Sequence, residues 1–170
     1  MQDQKEALTQ EIYQAGRPLE AEVKLLISIR GVTPLLALAF LSEVGDVTRF
    51  RSARRLQSYL GTVPTVRSSG GVTHNGAVNR RSRGLTRTLF TQAVIHIVDS
   101  SAVLAHFYRE LVARKGYGRA RIALIRKIFS IMRRMLPSGE PYSWVEPKLY
   151  ERKLNDYAKR MKTGRNQEVA

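Results

Sequence analysis

Two adjacent hydroxyls followed by two glycines, Ser68-Ser69-Gly70-Gly71, are the residues in this chain best suited to chemistry on a backbone phosphate. A serine on a glycine-flanked loop can approach a polymer closely, and the nearby Arg67, Arg80 and Arg81 offer cations to offset charge developing on phosphorus. A serine hydroxyl is a poor nucleophile until a base or metal removes its proton. The nearest carboxylates along the chain, Asp46 and Asp99, stand more than twenty residues away on either side. His74 is the one base within the same segment. Read from the residues alone, Ser-Ser-Gly-Gly serves equally well as a plain turn.

Other chemistries are narrowed by composition. There is no cysteine, which excludes disulfides and thiolate catalysis, and His74, His96 and His106 form no metal-ligand spacing. The 14 acidic residues are scattered, with no grouping that would make a two-metal carboxylate site. Against them stand 29 Lys and Arg, a net charge of +15 in 170 residues. An excess of this size repels itself in a folded domain, so a polyanionic partner is the natural reason to keep it. The longest apolar run, residues 34–41, is far short of the ~20 residues that span a bilayer. The polar, acidic first residues do not read as a signal or transit peptide. The expectation is a cytoplasmic, nucleoid-associated chain with no membrane partner.

The distribution of charge says more than its total. Residues 47–98 contain no acid, yet Arg49, Arg51, Arg54, Arg55, Arg67, Arg80, Arg81, Arg83 and Arg87 all fall there. A second acid-free stretch, residues 111–139, carries Arg114, Lys115, Arg119, Arg121, Arg126, Lys127, Arg133 and Arg134. Ordinary solvated surfaces mix both signs, whereas guanidinium groups fork onto phosphate oxygens. A solvated basic face is the plainer alternative.

These side chains need elements to position them, and the pattern is mainly helical. A polar helix is expected over residues 2–14. Gly16 and Pro18 then break the chain before a second helix running through Ile29. Gly31 ends that helix, Thr33 is a fit N-cap and Pro34 a fit first residue for an apolar helix stopped by Gly45. Two helices joined this way resemble a helix-hairpin-helix DNA-binding motif, in which Gly31 and Thr33 would stand at the phosphate; that motif usually has a second glycine where Thr33 stands. A packed hairpin with no DNA contact is the alternative. Ser52 is expected to cap a short helix over residues 53–60. Residues 61–79 read as a loop or short β-hairpin, because valines alternate with Pro64, Gly70, Gly71 and Gly76. Helices are then expected over 84–98, 102–114 and 119–136. The last has an apolar stripe from Ile122 to Leu136, with Arg119, Arg126 and Arg133 seven residues apart beside it. The expected domains are a connector or coiled-coil helix (1–28), a DNA-handling domain (29–136) and a polar C-terminal extension (137–170), the last carrying one further helix.

The order Gly31-Val32-Thr33-Pro34, Gly45-Asp46, Arg49-Phe50, Ser52-Ala53-Arg54, Tyr59, Gly61, Pro64, then Ser69-Gly70 and a basic run into a helix, resembles one family. It is similar to the C-terminal transposase domain of the IS-one-ten insertion-sequence group, which includes the Piv-type DNA invertases. Ser82 and Thr86 depart from the pattern, standing where glycine and an apolar residue are usual. The resemblance implies a part of a bridge-RNA-guided serine recombinase that binds DNA and a guide RNA. Within it Ser69, with Ser68 as fallback, attacks a phosphodiester to form a phosphoserine link. To the nucleic-acid contacts expected from the charge pattern, Arg51, Arg54, Arg55, Arg67, Arg80, Arg81, Arg83, Arg87, Arg119, Arg126 and Arg133, the resemblance adds a homo-oligomer in the full-length enzyme. It also implies an N-terminal RuvC-like domain with four carboxylates holding Mg2+. That domain is not in this sequence, so no cofactor is expected in this chain, which alone should not complete strand transfer. The alternative is a non-catalytic helix-hairpin-helix-type DNA- or RNA-binding module.

Overall fold

The computed structural model describes residues 2–69, 72–78 and 84–163, with side chains described over 4–63 and 84–162. Its architecture is mainly α-helical: α1 (Gln2–Ala15), α2 (Glu20–Leu26), α3 (Pro34–Val44), α4 (Ala53–Tyr59), α5 (Leu85–Ser100), α6 (Ala102–Lys115), α7 (Tyr117–Ser138) and α8 (Pro147–Thr163). One antiparallel strand pair, β1 (Pro64–Ser69) and β2 (Val72–Val78), lies between α4 and α5.

Local chemistry sets the helix ends. Thr33 accepts from the Leu36 amide at 3.3 Å, with Pro34 behind it, and so starts α3. Ser52 does the same for α4 through the Arg55 amide, and Ser101 for α6 through the Leu104 amide. The second helix is shorter than its periodicity predicts. It stops at Leu26, and residues 27–31 turn instead, though Ile27 and Ile29 are fully buried. The Ile27 amide still reaches the Val23 carbonyl, but the Ser28 and Ile29 amides bond three residues back, so the helix tightens into a turn there. By contrast α7 begins earlier than expected, because only Gly116 (φ +76°) breaks the chain and Gly118 sits within the helix.

The core forms around α7. Phe129 meets Phe40 of α3 at 5.5 Å between ring centroids and Phe90 of α5 at 5.0 Å, edge-on. Ala120, Leu124, Ile125, Ile128, Met132 and Met135 complete the buried face of α7; of the expected stripe, Ile125, Phe129 and Met132 are buried, while Ile122 and Leu136 are partly so. The buried cluster extends from Tyr13 of α1 to Tyr157 and Met161 of α8. Residues 137–163 are therefore not a detached tail. Tyr157 packs on Tyr13 at 5.8 Å, and Tyr150 donates to the Lys24 carbonyl at 2.9 Å. Four anchors, buried Tyr157 and Met161 with partly buried Tyr150 and Leu154, seat a helix whose composition is otherwise polar.

The turn between α2 and α3 is fastened from two sides. Gly31 has φ +77°, and a Cβ there would lie 2.5 Å from the Ile97 Cα, so glycine is required by conformation and by the close approach of α5. On the other side the Lys153 ammonium donates to the carbonyl oxygens of Ile27, Ile29 and Val32 at 2.8, 2.9 and 3.0 Å. All three of its protons are used within one turn.

Candidate nucleic-acid interface

The candidate surface is built on α4. Seven residues make a helix too short to persist alone, so its stability comes from its inner face. Leu56 and Leu60 are fully buried and Gln57 nearly so, whereas Arg51, Arg54 and Arg55 are exposed. Arg54 and Arg55 lie in the first turn of α4 and Arg51 just precedes its Ser52 cap, so the three exposed cations gather at the start of this helix.

A polar seam locks this helix to α7. The Arg126 Nε donates to the Gln57 side-chain oxygen at 3.1 Å. In return the Gln57 amide donates to the Arg126 carbonyl at 3.1 Å and to the Ser130 hydroxyl at 2.8 Å. One turn along, Arg133 donates to the Phe50 carbonyl at 2.7 Å. Arg49 stacks over the Phe50 and Tyr59 rings, and the Tyr59 hydroxyl donates to the Glu43 carbonyl at 3.1 Å. Asp46 caps the turn before α4; hydrogen bonds from the Thr48 hydroxyl and then its amide, with Arg49 adding, hold its carboxyl below the usual range.

Both ends of the strand segment are tied to the scaffold. At its start Gly61 adopts φ +67°, the Thr62 amide and hydroxyl both donate to the Gln57 carbonyl at 2.9 Å, and Arg87 donates to the Gly61 carbonyl at 2.9 Å. At its exit the Thr86 amide donates to a Glu43 carboxylate oxygen and its hydroxyl to the Ala39 carbonyl, each at 2.9 Å. Thr86, at a position where an apolar residue is usual, is fully buried with both polar groups satisfied. The other Glu43 oxygen is buried with no hydrogen-bond partner among the described residues.

The strand register pairs Arg67 with His74, Ser68 with Thr73 and Ser69 with Val72, with an irregularity between Pro64 and Val66. Ser69 is thus the last residue of β1. The side chains of Arg67, Ser68, Ser69 and His74 lie outside the described atoms, and Gly70, Arg80, Arg81 and Arg83 lie outside the described residues.

The predicted cations therefore divide. Arg51, Arg54, Arg55 and Arg119 are exposed. Arg87, Arg126 and Arg133 are half-buried and bonded to carbonyl or amide oxygens of the protein, so the seven-residue column on α7 is not one exposed row. Gly31 is packed against α5, and the Thr33 hydroxyl caps α3. Sequence reasoning passed over Gln57, Glu43 and Lys153. Gln57 carried a signal: beside Leu56 and three residues before Leu60, it shares their buried phase of α4. Among the described residues no three His, Asp or Glu side chains come together as metal ligands. No single described helix is long and apolar enough to cross a membrane.

The chain belongs to the Transposase IS116/IS110/IS902 family, whose model matches residues 23–109, from α2 into α6 and across the whole candidate surface. It is 30% identical over 142 residues, 77% of this chain and 35% of the relative, to the insertion element IS110 uncharacterized 43.6 kDa protein of Streptomyces coelicolor. It is 31% identical over 119 residues, 68% of this chain and 33% of the relative, to the transposase for insertion sequence element IS1111A of Coxiella burnetii. The chain thus spans about a third of the length of these curated relatives.

Proposed function

We propose that this segment is the DNA-handling part of a transposase and that Ser69 is its nucleophile. The observation that carries the binding half is the exposed Arg51, Arg54 and Arg55 at the start of a helix locked to α7, within a stretch, residues 47–98, that contains no carboxylate. Guanidinium groups held this way meet a phosphate backbone without first being ordered. Supporting the chemical half is the position of Ser69 at the end of a strand whose segment is anchored at both ends. In that reading the Ser69 oxygen bonds to phosphorus, the phosphodiester's leaving oxygen departs with the electron pair, and the serine proton passes to a base.

The described carboxylates do not fit a metal site, so no step is routed through a metal here. Removal of the serine proton is assigned to the part of the protein beyond this segment, where the family resemblance expects a RuvC-like domain with Mg2+. A guide RNA, a homo-oligomer at paired DNA ends and residence on the nucleoid belong to the same proposal.

The experiment is Ser69→Ala in the complete enzyme. DNA binding should stay almost intact while the covalent protein–DNA adduct disappears from denaturing gels; recombination retained by the variant removes Ser69 from the role, and Ser68→Ala is then the next variant. A second reading, a non-catalytic DNA- or RNA-binding module of helix-hairpin-helix type, draws on the Thr33-capped start of α3. It predicts no adduct from any serine.

A further inference from the structure

Between α6, α7 and the turn leading into α8 lies an open groove of about 330 Å³, walled by Val103, Lys127, Ser130, Arg134, Tyr142 and Trp144. A second hollow of about 410 Å³ continues from it past Arg134 and Tyr142, where Glu140 adds a carboxylate. No described carboxylate lines the first groove.

The indole is displayed rather than packed. Trp144 is 63% exposed, although it is the chain's only tryptophan and the turn carrying it is rigidly held. The Tyr142 amide donates to the buried Ser28 hydroxyl at 2.9 Å, the Val145 amide donates to the Tyr142 carbonyl at 3.0 Å, and Glu146 pairs with Arg30. Leaving a large aromatic face in water on a fixed turn forgoes the burial that such rings ordinarily contribute. Beside it Lys127, lying 4.3 Å over the Phe107 ring, and exposed Arg134 stand seven residues apart on α7. Ser130 lines this groove and also accepts from Gln57, so one α7 residue links the groove to the seam that holds α4.

We propose that this groove is a binding site for single-stranded nucleic acid, in which a base stacks on Trp144 while flanking phosphates meet Lys127 and Arg134. Stacking needs an exposed aromatic face held still, and phosphate needs cations without competing carboxylates; both are present within one groove. A duplex cannot use the indole, because its bases are already stacked on one another. The inference rests on the nucleic-acid reading above but assigns a different face and a different strand state.

Because Trp144 is the sole tryptophan, its fluorescence reports this site alone. Oligo-dT and oligo-U of about ten nucleotides, and a blunt DNA duplex of matched phosphate number, are titrated into the chain with binding followed in parallel by the anisotropy of a labelled strand. The expected result is strong quenching by the single strands, little by the duplex, and a loss of single-strand affinity of roughly tenfold or more in Trp144→Ala that Trp144→Phe largely restores. The ranking of oligo-dT against oligo-U tells whether DNA or RNA is the better source. Anisotropy binding with unquenched Trp144, or equal quenching by duplex, overturns the groove proposal and leaves the α4 surface standing. Quenching that grows with protein concentration alone, together with a doubled mass, also overturns it and makes the groove a contact between copies. Absence of binding to every probe at low salt sinks the nucleic-acid reading itself.

Discussion

Gln57 and Arg126 hold each other twice, side chain to side chain in one direction and side chain to backbone in the other, each at 3.1 Å. This exchange fixes the rotation of α4 on α7 and so decides which of its residues face water. An arginine that sequence alone would give to phosphate is the one that turns its neighbours toward water.

Gln57→Leu leaves the Arg126 Nε without its acceptor in a part-buried seam, while the Arg126 carbonyl keeps the Ser130 hydroxyl, at a cost of about 1–3 kcal/mol. Replacing Arg126 and Arg133 together should likewise lower the denaturant midpoint before it alters DNA contacts. An unchanged midpoint for both variants would show that the seam does not support the fold.

The triple variant Arg51→Gln, Arg54→Gln, Arg55→Gln should melt like the parent, since none of the three is buried. Its duplex affinity should fall, and the slope of log affinity against log salt should flatten by up to about 3. Fluorescence anisotropy across about 50–200 mM salt measures this. A slope equal to the parent's would place the phosphate contacts elsewhere.

Gly31→Ala combines strain at φ +77° with a Cβ driven onto the Ile97 backbone, for a loss of about 2–5 kcal/mol. At Gly139, φ +68°, nothing lies within 4 Å of the added carbon, and the same substitution should cost only about 1–2 kcal/mol. Thermal melting ranks the two. Equal losses would refute the close approach of α5 to the hairpin turn.

Lys153 gives a pH dependence of definite sign. Burial, with the charge of Arg30 adding, lowers its pKa from 10.5 to about 8. Between those values the unfolded chain holds a proton that the folded chain has released, so this group makes stability rise with pH there; the cost of burying its charge is fully present below pH 8. Near pH 10 the slope reverses through Tyr157, whose phenol is pushed up to about 12 by burial, then by Glu20 and Tyr13. Relative to Lys153→Met, the parent should gain stability between pH 7.5 and 9.5 in urea titrations. Parallel curves would mean the ammonium is better solvated than its surroundings indicate.

Most element positions were legible because caps and periodicity act locally: Thr33, Ser52 and Ser101 each start the helix that follows them. The apolar stripe of α7 was legible for the same reason. The fate of each arginine was not, since Arg54 and Arg126 look alike until the packing of α4 on α7 separates an outward from an inward cation. Nor was the seating of α8 legible, because a few apolar contacts outweigh a polar composition. Lys153 had no local signal at all; its three acceptors lie more than a hundred residues earlier in the chain.

Arg87 grips the Gly61 carbonyl while its neighbour Thr86 is fastened to α3, so the excursion of residues 62–85 leaves and rejoins the helical body at one place. Such an excursion is mechanically a detachable tool on a common handle. Changes confined to it that spare Ser69 should leave the three-phenylalanine centre of α3, α5 and α7 untouched.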